Sequence, residues 1–497
     1  MNIAQAKEYI KDSVRLYLKK DEFGEYRIPV VRQRPIFLLG APGVGKTAIM
    51  EQIAQELGIA LVAYSMTHHT RQSALGLPLI VEKEYGGKTV SVSEYTMSEI
   101  IASVYETMEE SGIREGILFL DEINCVSETL TPSMLQFLQY KVFGRHQVPE
   151  GWVIVTAGNP PEYNRSVREF DVVTMDRLKL LEVEADFESW KQYALERRIH
   201  PAVLSFLEIK DEYFYQVETT VKGKAYITAR GWEDLSGILF LYEEEGMGAD
   251  ENLIGQYLRH DKAVREFAAY YDLYRKYKKD YRTEEILQGR FGEEVCRKAS
   301  EASFDERLSL LFMLSDSVTL SVRNNLVNID ALQELKRILK TIHEKAEEEK
   351  EKPEIVLAKQ KENLAKRLEA QKKAGALSER EQSKMRIVER FLKKSLEALQ
   401  ETDSFEAVKS LYAEKAAEVT AQNEEVKNRM HQMFSFTERA FAEGNELLIL
   451  MTELTAGSDT SRFINTFGSE DYARHNEAFM IQDRQERLRQ EIAAAEP

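Results

Sequence analysis

One segment limits the possible folds more than any other: Gly40, Ala41, Pro42, Gly43, Val44, Gly45, Lys46, Thr47. It is set between a short apolar run, Pro35-Ile-Phe-Leu-Leu39, and a helical pattern from Thr47 to Leu57. In that pattern Ile49, Ile53 and Leu57 share one face, and Gly58 is the stop. The glycines let the backbone curl so that its N–H groups point inward at phosphates, and a helix N-terminus behind them adds partial positive charge. Lys46 is placed to charge-pair with the outer phosphates of a nucleotide, and the Thr47 hydroxyl to ligate Mg²⁺. A chance glycine turn before a helix is the alternative; it leaves the strand, the spacing and the helix as coincidences.

A second apolar run, Gly116-Ile-Leu-Phe-Leu120, ends in Asp121 and Glu122. In a parallel sheet such a run puts its terminal acids at the carboxyl edge, beside the phosphate loop. Asp121 would then hold the Mg²⁺ shell and Glu122 would orient and deprotonate an attacking water. Two further runs, Leu61-Val-Ala-Tyr64 and Trp152-Val-Ile-Val-Thr156, read as strands. Strands this apolar, separated by helical patterns, predict a parallel sheet covered on both faces. Leu79 to Val92 alternates around Tyr85-Gly86-Gly87-Lys88 and predicts a β-hairpin, followed by a helix from about Thr96.

Helix dominates from Asp186 onward. Phe187–Arg198, Ala229–Glu245 and a single long helix over Asn252–Tyr281 are predicted, with an extended stretch at Phe214–Ile227. Leu357, Leu364 and Leu368 form one apolar seam and Met385, Val388, Leu392, Ser395 and Leu399 another. Between them Ser378 and Glu381 have capping-box spacing, so this part reads as a projecting antiparallel coiled-coil hairpin. The organisation expected is an α/β core over 1–185, a helical lid over 186–281, a helical connector over 282–345, the hairpin over 346–402 and a helical region over 403–497.

Composition narrows the function. The 497 residues carry a formal net charge of −17, and 30% are charged. That balance argues against general affinity for DNA or RNA, which rests on Lys and Arg. Two cysteines, Cys125 and Cys296, make neither a disulfide framework nor a zinc pattern. No leader or run of 18 apolar residues is evident, so the default expectation is a cytoplasmic protein with no membrane span. His68 and His69 have no partner at metal spacing, Cys125 reads as a small core residue, and Tyr270, Tyr271, Tyr274, Tyr277 and Tyr281 as packing rather than base-stacking groups.

The paired motifs, with the segments on their C-terminal side, resemble an AAA+ ATPase, and specifically the MoxR family, over about the first half of the chain. The resemblance implies a P-loop AAA+ parallel-sheet core with a helical lid, binding ATP and Mg²⁺ at the interfaces of a ring, most simply a homo-hexamer. Thr156-Ala-Gly-Asn159-Pro160 is similar to the sensor-1 segment, which makes Asn159 the water-positioning side chain. Thr174-Met-Asp176-Arg177-Leu178 is similar to the family's Asp-Arg-Phe segment, with Leu178 in place of Phe; it makes Arg177 the arginine finger, with Arg165 and Arg168 as runners-up. Thr228-Ala-Arg230-Gly-Trp232 is similar to the sensor-2 helix, with Arg230 near the γ-phosphate. The hairpin at 79–92 stands where the MoxR and MCM-like branch carries its helix-2 insert, and Lys141–Val148 where it carries a second, here short, hairpin. Such proteins act as chaperones on client complexes together with a partner bearing a von Willebrand factor A domain. The core motifs alone also permit an MCM- or McrB-like nucleic-acid motor, or a nucleotide-gated scaffold with little turnover.

Overall fold

The computed structural model describes residues 1–68, 74, 76–143, 145–163, 166–220, 223–348, 352–402, 405–442 and 444–479. The chain forms two units: residues 1–189 with 361–382, and residues 190–360 with 383–497.

In the first unit, α1 (Ile3–Tyr17) precedes β1 (Ile36–Gly40), α2 (Lys46–Leu57) and β2 (Ala60–Ser65). The hairpin β3 (Pro78–Tyr85) and β4 (Lys88–Tyr95) is next, then α3 (Glu99–Ser111) and β5 (Gly116–Asp121). After these come α4 (Thr131–Tyr140), the two-residue strands β6 (Val142–Phe143) and β7 (His146–Gln147), then β8 (Trp152–Gly158), α5 (Val172–Met175) and β9 (Lys179–Val183). Five strands form one sheet in the order β2-β5-β8-β1-β9, all parallel. The middle of the sheet is sealed on both faces: Ile117 to Leu120 are fully buried, as is every residue of β8. This is why these strands read as unbroken apolar runs instead of alternating ones.

All four strands and the hairpin predicted from the sequence are present. The fifth strand, β9, has no counterpart among them. It is a sheet edge, with only Leu181 and Val183 buried, so it lacks the signal of its neighbours. α1 is tied to this edge: the Met1 amino group donates to the Glu182 carbonyl at 3.0 Å and Glu184 N–H donates back to Met1.

The second unit holds α6 (Phe187–Glu196, whose first turn lies in the first unit), α7 (Pro201–Ile209), the hairpin β10 (Gln216–Thr220) and β11 (Gly223–Ile227), and α8 (Ala229–Glu244). Beyond it lie α9 (Glu251–Tyr257), α10 (Asp261–Tyr281), α11 (Thr283–Leu287), α12 (Glu293–Ser300) and the 45-residue α13 (Phe304–Glu348). The helix predicted over Asn252–Tyr281 is two helices. Arg259 exchanges both backbone hydrogen bonds with Tyr226 of β11, which forces Leu258 to extended geometry; the His260 ring then caps α10 by accepting from Ala263 N–H. Tyr270, Tyr271, Tyr274 and Tyr281 are all buried, and the Tyr270 hydroxyl bonds Ser205 and Ser309 at 2.7 and 2.6 Å. The tyrosine run is core.

After these come α14 (Pro353–Lys373), α15 (Glu379–Thr402), α16 (Phe405–Phe441), α17 (Asn445–Ala456) and α18 (Ser458–Phe467). Of the predicted seam positions, Leu357, Leu364, Met385, Val388, Leu392, Ser395 and Leu399 are buried, and Leu368 is half-buried. The turn between α14 and α15 does not project freely. Ala374 is fully buried in the core of the first unit. Among the described residues no helix is long and apolar enough to cross a membrane.

Candidate functional site: the carboxyl edge of the parallel sheet

β1 delivers the chain to Gly40, and α2 starts at Lys46 behind Gly45, whose φ of +97° is a left-handed geometry suited to glycine. The Lys46 side chain is buried and turned back into the loop. Its Nζ donates to the carbonyls of Gly40 at 2.7 Å and Ala41 at 2.9 Å, and to Asn159 Oδ1 at 2.9 Å. Asn159 comes directly after β8, next to β1 in the sheet, which is how two residues 113 apart meet. These oxygens hold the Lys46 ammonium inside the glycine loop.

Thr47 is the second residue of α2, and its hydroxyl donates to Asp121 Oδ2 at 3.1 Å. Asp121 ends β5, and its other oxygen accepts from Glu122 N–H at 2.8 Å. Glu122 takes φ +55°, a left-handed geometry that is uncommon for a residue with a side chain and clusters at functional positions. That turn separates the two neighbouring carboxylates. Glu122 Oε2 accepts from Ser65 Oγ at 3.0 Å and from Thr67 Oγ1 at 2.9 Å. Ser65 is the last residue of β2 and pairs with Asp121 across the ladder.

Behind Asn159 stands Asn124, 4% exposed, whose Nδ2 donates to the Asn159 carbonyl at 2.9 Å. The Asn124 carbonyl accepts from Arg168 N–H, also at 2.9 Å. Gly40, Lys46, Thr47, Asp121, Glu122 and Asn159 are thus brought to one edge of one sheet. Ser65, Thr67 and Asn124 belong to the same cluster, and no motif in the sequence marks them. Ser65 carries a faint signal, as a hydroxyl ending an apolar strand.

Arg177 lies outside this cluster. It is exposed just after α5, whose N-cap Asp171 accepts from Thr174 N–H at 2.8 Å. Its neighbours Val172 and Val173 are exposed as well, at 85% and 59%. Arg168 pairs with Glu128 at 2.5 Å, so its guanidinium is already engaged, and Arg165 lies outside the described residues. Arg230 belongs to the second unit, exposed in the first turn of α8 after its N-cap Thr228. Cys125 is half-buried; burial pushes its thiol up, and Glu122 and Asp121 add to the effect. It is a thiol, not a reactive thiolate. His69 lies outside the described residues.

Fit to a magnesium nucleotide can be judged from these contacts. Lys46 with the loop amides suits phosphates, and the Thr47 hydroxyl 3.1 Å from an Asp121 oxygen suits a hard cation with oxygen ligands.

Fold and site together define the class of the first unit: a P-loop domain that is similar to the AAA domain. Residues 35–178 match the family model of the AAA domain of the dynein-related subfamily, a span that includes Lys46, Asp121, Glu122, Asn159 and Arg177 but not Arg230. No curated protein matches the chain. Among solved structures it is similar to one from Cytophaga hutchinsonii ATCC 33406, described as a presumed ATPase, at 15% identity and a TM-score of 0.23. That similarity covers 39% of this chain and 58% of the other, so this chain spans less than two thirds of the length of the structure it matches.

Proposed function

We propose that the protein is a Mg-ATP-dependent ATPase of MoxR type that works as a ring, most simply a homo-hexamer, and converts ATP hydrolysis into remodelling of a partner protein. The observation that carries the ATPase part is the meeting of Lys46, Thr47, Asp121, Glu122 and Asn159 at one sheet edge. In this reading Lys46 and the loop amides from Gly40 to Thr47 bind the phosphates. Thr47 and Asp121 hold the magnesium, which supplies charge neutralisation at the phosphates. Glu122 takes the proton of the attacking water and Asn159 positions that water. Arg177 acts in trans: an exposed arginine beside exposed valines is suited to a neighbouring copy, where it would stabilise charge in the transition state. Arg230 is assigned the sensor-2 role. A von Willebrand factor A domain protein and a client are the proposed partners, and the cytoplasm the proposed compartment.

The test is the steady-state ATPase rate against protein concentration for wild type, Lys46→Ala, Glu122→Gln and Arg177→Ala. Lys46→Ala is expected to lose ATP binding. Glu122→Gln is expected to bind ATP while turnover falls by about 10²-fold or more, the usual worth of a positioned base. Arg177→Ala is expected to bind ATP, and its rate per subunit should no longer rise with concentration. Equal rates in all four proteins would refute the reading.

A further inference from the structure

The turn between α14 and α15 is far in sequence from the ATPase motifs and yet is part of the first unit. α14 ends at Lys373, and Gly375, at φ +65°, reverses the chain. Ser378 then caps α15, its hydroxyl accepting from Glu381 N–H at 3.2 Å. The chain on either side of 361–382 belongs to the second unit.

What the turn covers is β2, one of the two edges of the sheet. The inner side of that strand is satisfied by β5. On the outer side Leu61 N–H donates to the Ala374 carbonyl at 3.0 Å. Ala374 is fully buried in the same core cluster as Ala60, Val62, Ile101 and Val104, with Ala376 packed against it. Lys373 pairs with Glu110 at 3.5 Å. An edge strand with open N–H groups is a surface that proteins normally cover or charge; here a remote turn covers it.

The contact includes one backbone hydrogen bond, the buried Ala374 with Ala376, the approach of Gly375 to Leu61 and one exposed ion pair, the last a kind of pair that contributes little. Beside it lies a cavity of about 350 Å³ lined by Glu51, Gln55, Leu61, Lys372, Gly375 and Gln382 among others. The groove is open to solvent, and the pairing of β2 with β5 does not depend on the turn.

β2 leads from this contact straight to the chemistry. Leu61 is gripped by the turn. Four residues on, Ser65, with Thr67 just beyond, holds the Glu122 carboxylate. We infer that the α14–α15 turn is a regulatory clasp on the ATPase: docked on β2, it keeps Ser65 and Thr67 on Glu122 and restrains hydrolysis, and its release speeds turnover. The inference rests on the assignment of Glu122 as the base.

Two variants test it in the full-length chain. Ala374→Asp places a charge in the core cluster and expels the turn. Lys373→Glu turns the attraction to Glu110 into repulsion at an exposed pair, so its loss of protection and gain in rate are expected to be partial; it is the milder change if Ala374→Asp fails to fold. Amide hydrogen exchange over residues 58–65 reports docking, independently of activity, through protection of Leu61. The expected result is lost protection at Leu61, kcat raised roughly three- to tenfold and KM for ATP unchanged, with Glu110→Lys in the Lys373→Glu background restoring both protection and rate. A deprotected Leu61 with unchanged or lower kcat overturns the clasp alone. A fully protected Leu61 in both variants overturns the docking. A wild type with no ATPase activity refutes the ATPase reading, and the clasp with it.

Discussion

Gly158 ends β8 and abuts the amide of Asn124, and this close approach gives a direct test of how the site is braced. A Cβ at Gly158 would lie 2.5 Å from Asn124 Oδ1, 2.7 Å from its Cγ and 2.9 Å from its Nδ2. Asn124 is 4% exposed and has little room to retreat. Gly158→Ala must therefore displace it, at an overpacking cost of about 1–3 kcal/mol. The bond from Asn124 Nδ2 to the Asn159 carbonyl goes with it, worth about 1 kcal/mol. The sum, roughly 2–4 kcal/mol, is a large part of the stability of an ordinary domain. Function should suffer too, because Asn159 is the residue whose side chain accepts from Lys46. Urea melts should show the loss, and kcat/KM for ATP should fall by about tenfold or more. The decisive protein is the double variant Asn124→Ala/Gly158→Ala. With the obstructing amide gone, the new methyl has space, so the double variant should be more stable than the sum of the two single losses by about 1–3 kcal/mol. If Gly158→Ala melts like wild type, or if the double variant loses the sum of the singles, the bracing role of Asn124 is wrong.

Two further expectations concern pH. Lys141 is 2% exposed; burial lowers its pKa from 10.5 to about 8, and its Nζ donates to Gln33 Oε1 at 3.3 Å. The unfolded chain holds that proton to higher pH than the folded one, so stability should rise between about pH 8 and 10.5, and Lys141→Met should remove this rise and add about 1–3 kcal/mol at pH 7 in urea melts. In the second unit burial opposes ionisation of Glu243, but His200 at 3.3 Å and Lys278 at 2.7 Å outweigh it and hold the carboxyl at about 2. That group stabilises above its unfolded value of 4.5 and its contribution is lost as pH falls from there towards 2; Glu243→Gln should melt earlier at pH 7 and show a shallower acid decline, and an unchanged acid profile would refute the assignment.

How much of this molecule could be read in its sequence depends on where each signal comes from. The phosphate loop, the acid pair after β5 and Asn159 after β8 were legible because each is set by its own strand: a fully buried run fixes the strand, and the next residues fall at the sheet edge. β9 was not legible because an edge strand keeps few buried apolar positions. Nor was the break between α9 and α10, because its cause, the backbone pairing of Arg259 with Tyr226, is 33 residues away in sequence and depends on no side chain. Ser65 and Thr67 are ordinary hydroxyls until β2 is paired with β5, 57 and 55 residues from the carboxylate they hold. The α14–α15 turn is the extreme case. Ala374-Gly375-Ala376 has the composition of a solvent loop, yet Ala374 is wholly buried, over 300 residues from the strand it covers.

The residues proposed to perform chemistry are announced locally because phosphate and metal binding demand particular side chains at fixed spacing. The groups proposed to restrain it are backbone groups, alanines and hydroxyls, which carry no such signature. A regulatory contact can therefore use any sequence that fits an edge. Ala374 and Leu61 meet through one backbone hydrogen bond on the outer side of β2. Because β2 pairs with β5 on its other side, releasing that bond leaves the ladder of the sheet in place.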